Sequence, residues 1–172
     1  MTEKQIIIVI RGAPATGKTV IARRLRHERK KTVWLGFDVI RSLIYKKPRK
    51  RKKGLVFKSL LALAEFFLKE GYSVVIEEIF IKKVQIDPFF KLGKKLKVSV
   101  YLFELRAQTK DLLSRNPDRE YSVAGGQEAV KRINKLVLSN PDKRAIIIDT
   151  SRYSSSNALS TIRKKIGDKN II

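Results

Sequence analysis

Residues 5–19, QIIIVIRGAPATGKT, run from an uninterrupted β-branched stretch straight into a turn built of Gly, Ala and Pro. A continuous apolar run of this length reads as a strand buried on both faces of a parallel sheet, Gln5 to Arg11. The turn that follows, Gly12-Ala-Pro-Ala-Thr-Gly-Lys-Thr19, fits the pattern G-x-x-x-x-G-K-[ST]. From Lys18 onward Val20, Ile21 and Leu25 recur at helical spacing, so the turn joins a strand to a helix. Strand, loop and helix together define a phosphate loop. The backbone amides of Gly12, Ala15, Thr16, Gly17, Lys18, Thr19 and Val20 are placed to cradle phosphates at a helix N-terminus. The Lys18 ammonium reaches the β- and γ-oxygens of a nucleotide, and the Thr19 hydroxyl is a ligand for Mg²⁺.

Working outward, strands and helices alternate to the end of the chain. Strands are expected at 32–37, 73–79, 97–105 and 145–149, with helices at 38–45, 55–70, 86–95, about 108–115, about 127–138 and 157–166. The helix at 55–70 shows an apolar face of Leu55, Ser59, Leu60, Leu63, Ala64, Phe67 and Leu68. This predicts an α/β fold with a doubly wound, mainly parallel five-stranded sheet, in a single domain spanning 1–172. Its ligands belong beyond the carboxyl ends of the strands. Trp34 and the pairs Phe66-Phe67 and Phe89-Phe90 occupy apolar positions and are expected in the core.

Three positions along that edge carry further chemistry. A phosphate loop needs an acid near a neighbouring strand end for the metal; Glu77 and Glu78 in VVIEEIF are the candidates, Glu77 foremost, and Asp149 in IIIDT is a third. Strand alternation predicts that one of the two glutamates faces the crevice while the other turns away. Asp38 closes the second strand and Arg41 follows one helical turn later. Asp38 reads either as a general base or as a helix cap, and Arg41 as an anion clamp or a solvated charge. Arg115 and Arg119 flank a polar break, and with Gly125-Gly126 they suggest a lid over 106–126.

Composition bounds the function. The chain has no cysteine and a single histidine, His27, which removes thiolate zinc sites, disulfides and Ser-His-Asp catalysis. The first residues lack the features of a signal peptide and no apolar run spans a bilayer, so a cytoplasmic location and no membrane partner are expected. The net charge is +23, from 39 Lys and Arg against 16 Asp and Glu. Seven of those cations lie in KKPRKRKK: Lys46, Lys47, Arg49, Lys50, Arg51, Lys52 and Lys53. The remainder still carries +16, so basicity belongs to the whole chain and points to a polyanionic partner. The run itself reads as a loop that tracks phosphates without reading sequence. Tyr45 beside it is a candidate for base stacking.

Taken together, GAPATGKT, GFDVIR, GYSVVIEEIF, the Arg115/Arg119 region and IIIDTS resemble the P-loop kinases that include polynucleotide 5′-hydroxyl kinases, zeta-toxin-like kinases and chloramphenicol phosphotransferases. The resemblance covers nearly the whole chain. It implies ATP and Mg²⁺ held by Lys18 and Thr19, Asp38 as general base, Arg41 at the acceptor, Arg115 and Arg119 in the lid, and Thr150-Ser151 near the adenine. Two departures stand out. Glu77-Glu78 sits where Asp is usual, and the WLGFDVI and VVIEEIF segments are locally most similar to the chloramphenicol phosphotransferases, whereas Asp-x-x-Arg is the polynucleotide kinase pattern. Charge favours a nucleic acid as the acceptor; the reading adopted is a 5′-OH end, with RNA slightly preferred to DNA. A small-molecule acceptor and an ATP-gated nucleic-acid-binding module remain the alternatives.

Overall fold

The strand that enters the phosphate loop is β1 (Ile6–Gly12), and every one of its residues is buried. Such burial requires a neighbour on each edge and a layer on each face, which a doubly wound sheet supplies. The computed structural model describes residues 4–45, 53–115, 126–151 and 155–167. Beside β1 stand β2 (Thr32–Gly36), β3 (Ser73–Glu78), β4 (Ser99–Arg106) and β5 (Ala145–Asp149). Their order is β2-β3-β1-β4-β5 and every pairing is parallel. The chain crosses from β1 to the edge strand β2, returns to β3 beside β1, and then passes to β4 and β5 on the other side, so the crevice where ligands bind falls at the end of β1.

Alternation along β1 assigns its side chains to two layers. Ile7 and Val9 pack against α2 (Phe37–Ile44), α3 (Lys53–Lys69) and α4 (Asp87–Leu96) through Ile40, Leu60, Ala64 and Phe89. Ile6, Ile8 and Ile10 pack against α1 (Lys18–Glu28) and α7 (Ser155–Ile166) through Ile21, Leu25, Leu159 and Ile162. Each fully buried Ile or Leu contributes about 1.5–3 kcal/mol. A smaller cluster of Ala13, Ala107, Leu112 and Val130 seats α5 (Thr109–Ser114) and α6 (Gly126–Leu138) on the phosphate loop. Among the described residues no helix is long and apolar enough to cross a membrane.

Several local expectations change. Helix α3 begins at Lys53, so that cation belongs to the helix. Its buried stripe is led by Val56, and Leu55 is 47% exposed. Phe66, expected in the core, is 56% exposed, whereas Phe89 is fully buried. Asp38 lies inside the first turn of α2; Gly36 is the N-cap residue and no side chain caps it. The capping role for Asp38 is thereby excluded. Of the expected lid, 116–125, with Arg119 and Gly125, lies outside the described residues, as do Lys46, Lys47, Arg49, Lys50, Arg51 and Lys52 of the basic run.

Candidate active site

The phosphate loop takes its shape from two glycines. At Gly12, φ is +154° and a Cβ would stand 2.5 Å from the Leu105 carbonyl oxygen, so only glycine lets β1 pass β4 at this point. At Gly17, φ is +89° and the residue opens α1 in a left-handed conformation. Ala15 also has positive φ, at +65°. The Thr16 hydroxyl donates to the Ala13 carbonyl at 2.8 Å, and the Lys18 ammonium donates to the same carbonyl at 2.8 Å. Both residues are buried. Helix α1 has no side-chain cap and no acid in its first turn, which leaves its amides and dipole to an anion.

The loop forms one wall of a cavity of about 860 Å³. Ala15, Gly17, Lys18, Thr19 and Val20 line one side, Asp38 and Arg41 another, and Glu77 and Glu78 the floor. Thr19 Oγ1 donates to Glu77 Oε1 at 3.1 Å, joining the first turn of α1 to the end of β3. Gly36 is paired with Glu77 across the sheet, and a Cβ there would lie 2.9 Å from the Trp34 ring and 3.3 Å from Glu77 Oε1. Glu77 and Glu78 occupy opposite faces of β3, yet both line the cavity. The expectation that one would turn away fails because the strand ends here and the layers no longer separate its two faces.

Burial pushes the Glu77 carboxyl above its ordinary range, against the pull of Lys18 and the Thr19 hydroxyl. Burial also raises Glu78, to about 7, with the Ile79 amide and Lys18 opposing and Asp38 and Glu77 adding to the rise. Asp38 is paired with Arg41, Nη2 to Oδ1 at 3.1 Å. The predicted Asp-x-x-Arg face therefore exists and opens on the phosphate loop. Among the described residues no group of three or more His, Cys, Asp or Glu forms a ready metal cage. One hydroxyl and one buried carboxylate at hydrogen-bond distance suit Mg²⁺, which keeps waters and takes the remaining ligands from phosphate oxygens.

Arg115 lines the cavity and its Nη2 donates to the Thr150 carbonyl at 2.7 Å. Thr150 and Ser151 do not line the large cavity. The Thr150 amide and hydroxyl both donate to the Arg106 carbonyl, at 2.7 and 3.0 Å, and Ser151 Oγ accepts from the Gln108 amide at 2.7 Å. They tie the end of β5 to the turn after β4. Asp149 accepts from the Ser151 amide at 2.8 Å and lines a separate pocket of about 420 Å³ with Arg106, Gln108 and Asn134. That placement removes Asp149 as the acid of the phosphate loop.

Sequence reading missed two features. Arg132, Ile133 and Leu136 of α6 also line the cavity, and Phe37, Tyr45, Phe57, Phe80 and Val84 give it an apolar wall. The other feature is Arg11, a fully buried cation at the end of β1. It ion-pairs with buried Glu104 at 3.3 Å and donates through Nη2 to the Val137 and Asn140 carbonyls, each at 3.0 Å. A charge closing an apolar strand was the available signal, since such a residue is buried only with a partner.

A parallel sheet in this order, a phosphate loop after its central strand and a Thr-Glu pair beside it define a P-loop kinase-like fold. The chain belongs to the AAA domain family, whose profile matches residues 7–137. No curated protein sequence matches it. Among solved structures it is similar to the tunicamycin resistance protein of Deinococcus radiodurans, at 16% identity and TM-score 0.71, covering 95% of this chain and 96% of that one. It is likewise similar to a sugar kinase from Janibacter, at 17% identity and TM-score 0.68, covering 96% of each chain. A chain of the Pnkp1/Rnl/Hen1 RNA repair complex matches at 14% identity and TM-score 0.67, covering 81% of this chain and 46% of that one. At these identities the likeness is one of fold.

Proposed function

We propose that the protein is an ATP- and Mg²⁺-dependent phosphotransferase that moves the γ-phosphate to a hydroxyl of a nucleic acid, a 5′-OH end, with RNA favoured over DNA. One observation supports the phosphotransfer reading: Asp38 and the phosphate loop line the same cavity, so a carboxylate shares one site with the loop that would hold the triphosphate. Net charge of +23 supports the polyanionic acceptor.

In this reading the loop amides and Lys18 hold the triphosphate, while Thr19 and Glu77 would hold Mg²⁺, which would supply positive charge to the phosphates. Arg41 orients the acceptor. Asp38 takes the proton from its hydroxyl as the new O–P bond forms and the bridging bond to the β-phosphate breaks, releasing ADP. Arg115 screens charge on the transferring group, joined by Arg119 of the lid. Lys46, Lys47, Arg49, Lys50, Arg51, Lys52 and Lys53 add phosphate contacts along the strand, and Thr150-Ser151 border the base of ATP. The resemblance to P-loop kinases supports these roles residue by residue.

A second reading is favoured by the apolar wall of Phe37, Tyr45, Phe57, Phe80 and Val84, which suits a small, largely apolar alcohol. Incubation with γ-labelled ATP and, in parallel, 5′-OH RNA, 5′-OH DNA, nucleosides and small alcohols distinguishes the two. Label on the oligonucleotides supports the first; label on a small alcohol alone overturns it.

A further inference from the structure

Basic charge outside the cavity is not spread evenly over the molecule. The outward face of α1 exposes Arg23, Arg24, Arg26 and His27, and Lys30 and Lys31 follow directly after the helix. Helix α7 runs beside α1 in the same direction: Arg24 Nη1 donates to Ser156 Oγ near the start of α7, and Arg163 pairs with Glu28 near the ends of both. Its last turn adds exposed Lys164 and Lys165. Among the described residues Glu28 is the one acid of these two helices, and it is engaged with Arg163 through both carboxylate oxygens.

In the opposite layer α3 and α4 carry two acids, Glu65 and Asp87, against six lysines, and Glu65 pairs with both Lys69 and Lys95, at 3.0 and 2.8 Å. Cations in a last turn have an ordinary explanation in the helix dipole. That explanation does not reach Arg23 and Arg24, which lie in the middle of α1 where the dipole exerts little effect. Val20, which lines the large cavity and is 49% exposed, places the start of this face at the cavity rim. From Val20 to Glu28 the helix rise of 1.5 Å per residue gives a track of roughly 12 Å, about the length of four successive phosphates in one strand of a duplex, and Lys30 and Lys31 extend it past the helix end. Among the described residues Val20 is also the one large apolar side chain that α1 exposes, so the face has nothing to insert into lipid.

We infer that the α1–α7 face is a nucleic-acid backbone track, separate from the acceptor cavity, that holds the body of a strand whose end lies at Asp38. The nucleic-acid reading of the function supplies the identity of the partner; the track itself rests on the charge distribution. Its contacts are to phosphates, so it carries affinity and no sequence preference. The Arg23 guanidinium stacks over the Trp34 ring, 5.4 Å from its centroid.

The test compares two triple variants of equal charge: Arg26→Gln, Lys30→Gln, Lys31→Gln on the track, and Lys58→Gln, Lys91→Gln, Lys94→Gln on the opposite layer. Binding of a 5′-phosphorylated RNA, which offers no 5′-hydroxyl, is followed by fluorescence anisotropy from low to moderate salt, after circular dichroism and thermal melting confirm folding. The track variant is expected to bind about 10–100-fold more weakly, with the log–log salt slope reduced by about 2, from roughly 0.7 per lost single-strand phosphate contact. The opposite variant is expected to change by less than about threefold. Equal losses in both variants, no loss in either, no RNA binding by the native protein, or tighter binding to anionic lipid vesicles than to RNA each overturns the inference. Track-dependent binding without 5′-OH phosphorylation supports the track and removes the proposed phosphotransfer, so the two readings fail separately.

Discussion

Thr19 and Glu77 are 58 positions apart in sequence, yet the Thr19 hydroxyl donates to Glu77 Oε1 across 3.1 Å. The contact links the first turn of α1 to the end of β3, and under the proposed function it makes Glu77, of the two adjacent glutamates, the one that would serve the metal. Glu77→Gln retains the shape and the hydrogen bond but removes the charge. It is expected to raise the Mg²⁺ concentration for half-maximal ATP turnover by about 10–100-fold. A Mg²⁺ titration of turnover measures it, and the same change from Glu78→Gln with none from Glu77→Gln would reverse the assignment.

Asp38 stands on α2 and not on the phosphate loop, although both line one cavity. Asp38→Asn is expected to lower kcat for phosphotransfer by about 10²–10⁴, the range for losing a positioned base, with ATP affinity within about twofold of native. Single-turnover kinetics and ATP titration check the two halves separately. Equal loss of ATP affinity would make Asp38 a support of the phosphate loop.

Glu78 supplies a pH dependence whose sign follows from its burial. In the folded chain it holds a proton up to about pH 7, whereas the exposed chain releases it near 4.5. Stability from this group is therefore complete below pH 4.5 and declines as pH rises through 7. The metal-free native protein is expected to lose about 1–3 kcal/mol between pH 5 and pH 8, with Glu77 acting in the same direction. Asp142 and Glu65, whose carboxyls are held below the ordinary range by Arg144 and by Lys95 and Lys69, titrate below this window. Denaturant melts of Glu78→Gln should show the decline largely flattened; an unchanged slope would assign it elsewhere.

Arg11 lowers its own cost of burial through Glu104 and two carbonyls of the α6 end. Burial still draws the guanidinium below its ordinary pKa, with Glu104 and Asp142 opposing. Arg11→Met leaves Glu104 with Arg106 alone and is expected to cost about 3 kcal/mol of stability. Arg11→Met with Glu104→Gln is expected to recover part of that loss, because no buried charge is left uncompensated. Chemical denaturation of the two variants measures the difference, and strict additivity would show that the pair is not coupled.

The phosphate loop was legible because its chemistry is local. Gly12, Gly17, Lys18 and Thr19 act through backbone torsion and helix position, which neighbouring residues dictate, and all five strands were found for the same reason. Burial periodicity was less secure: Leu55 and Val56 compete for one stripe on α3, and the packing of α3 on the sheet selects Val56. Asp38 was located as an acid at the sheet edge, but its exclusion as a cap depends on α2 starting one residue earlier.

The sequence by itself determined a parallel α/β sheet, a phosphate loop and a basic chain, since periodicity, glycine torsion and net charge need no knowledge of distant contacts. Only the tertiary structure decided that Glu77 meets Thr19, that Asp149 belongs to another pocket, that Arg132 and Leu136 line the cavity, and that α1 and α7 join their cations on one face. Those outcomes depend on which strands are neighbours and which helices share a layer. Chain distance carries no information about either, so residues 58 or more positions apart become partners only when the sheet order β2-β3-β1-β4-β5 is set.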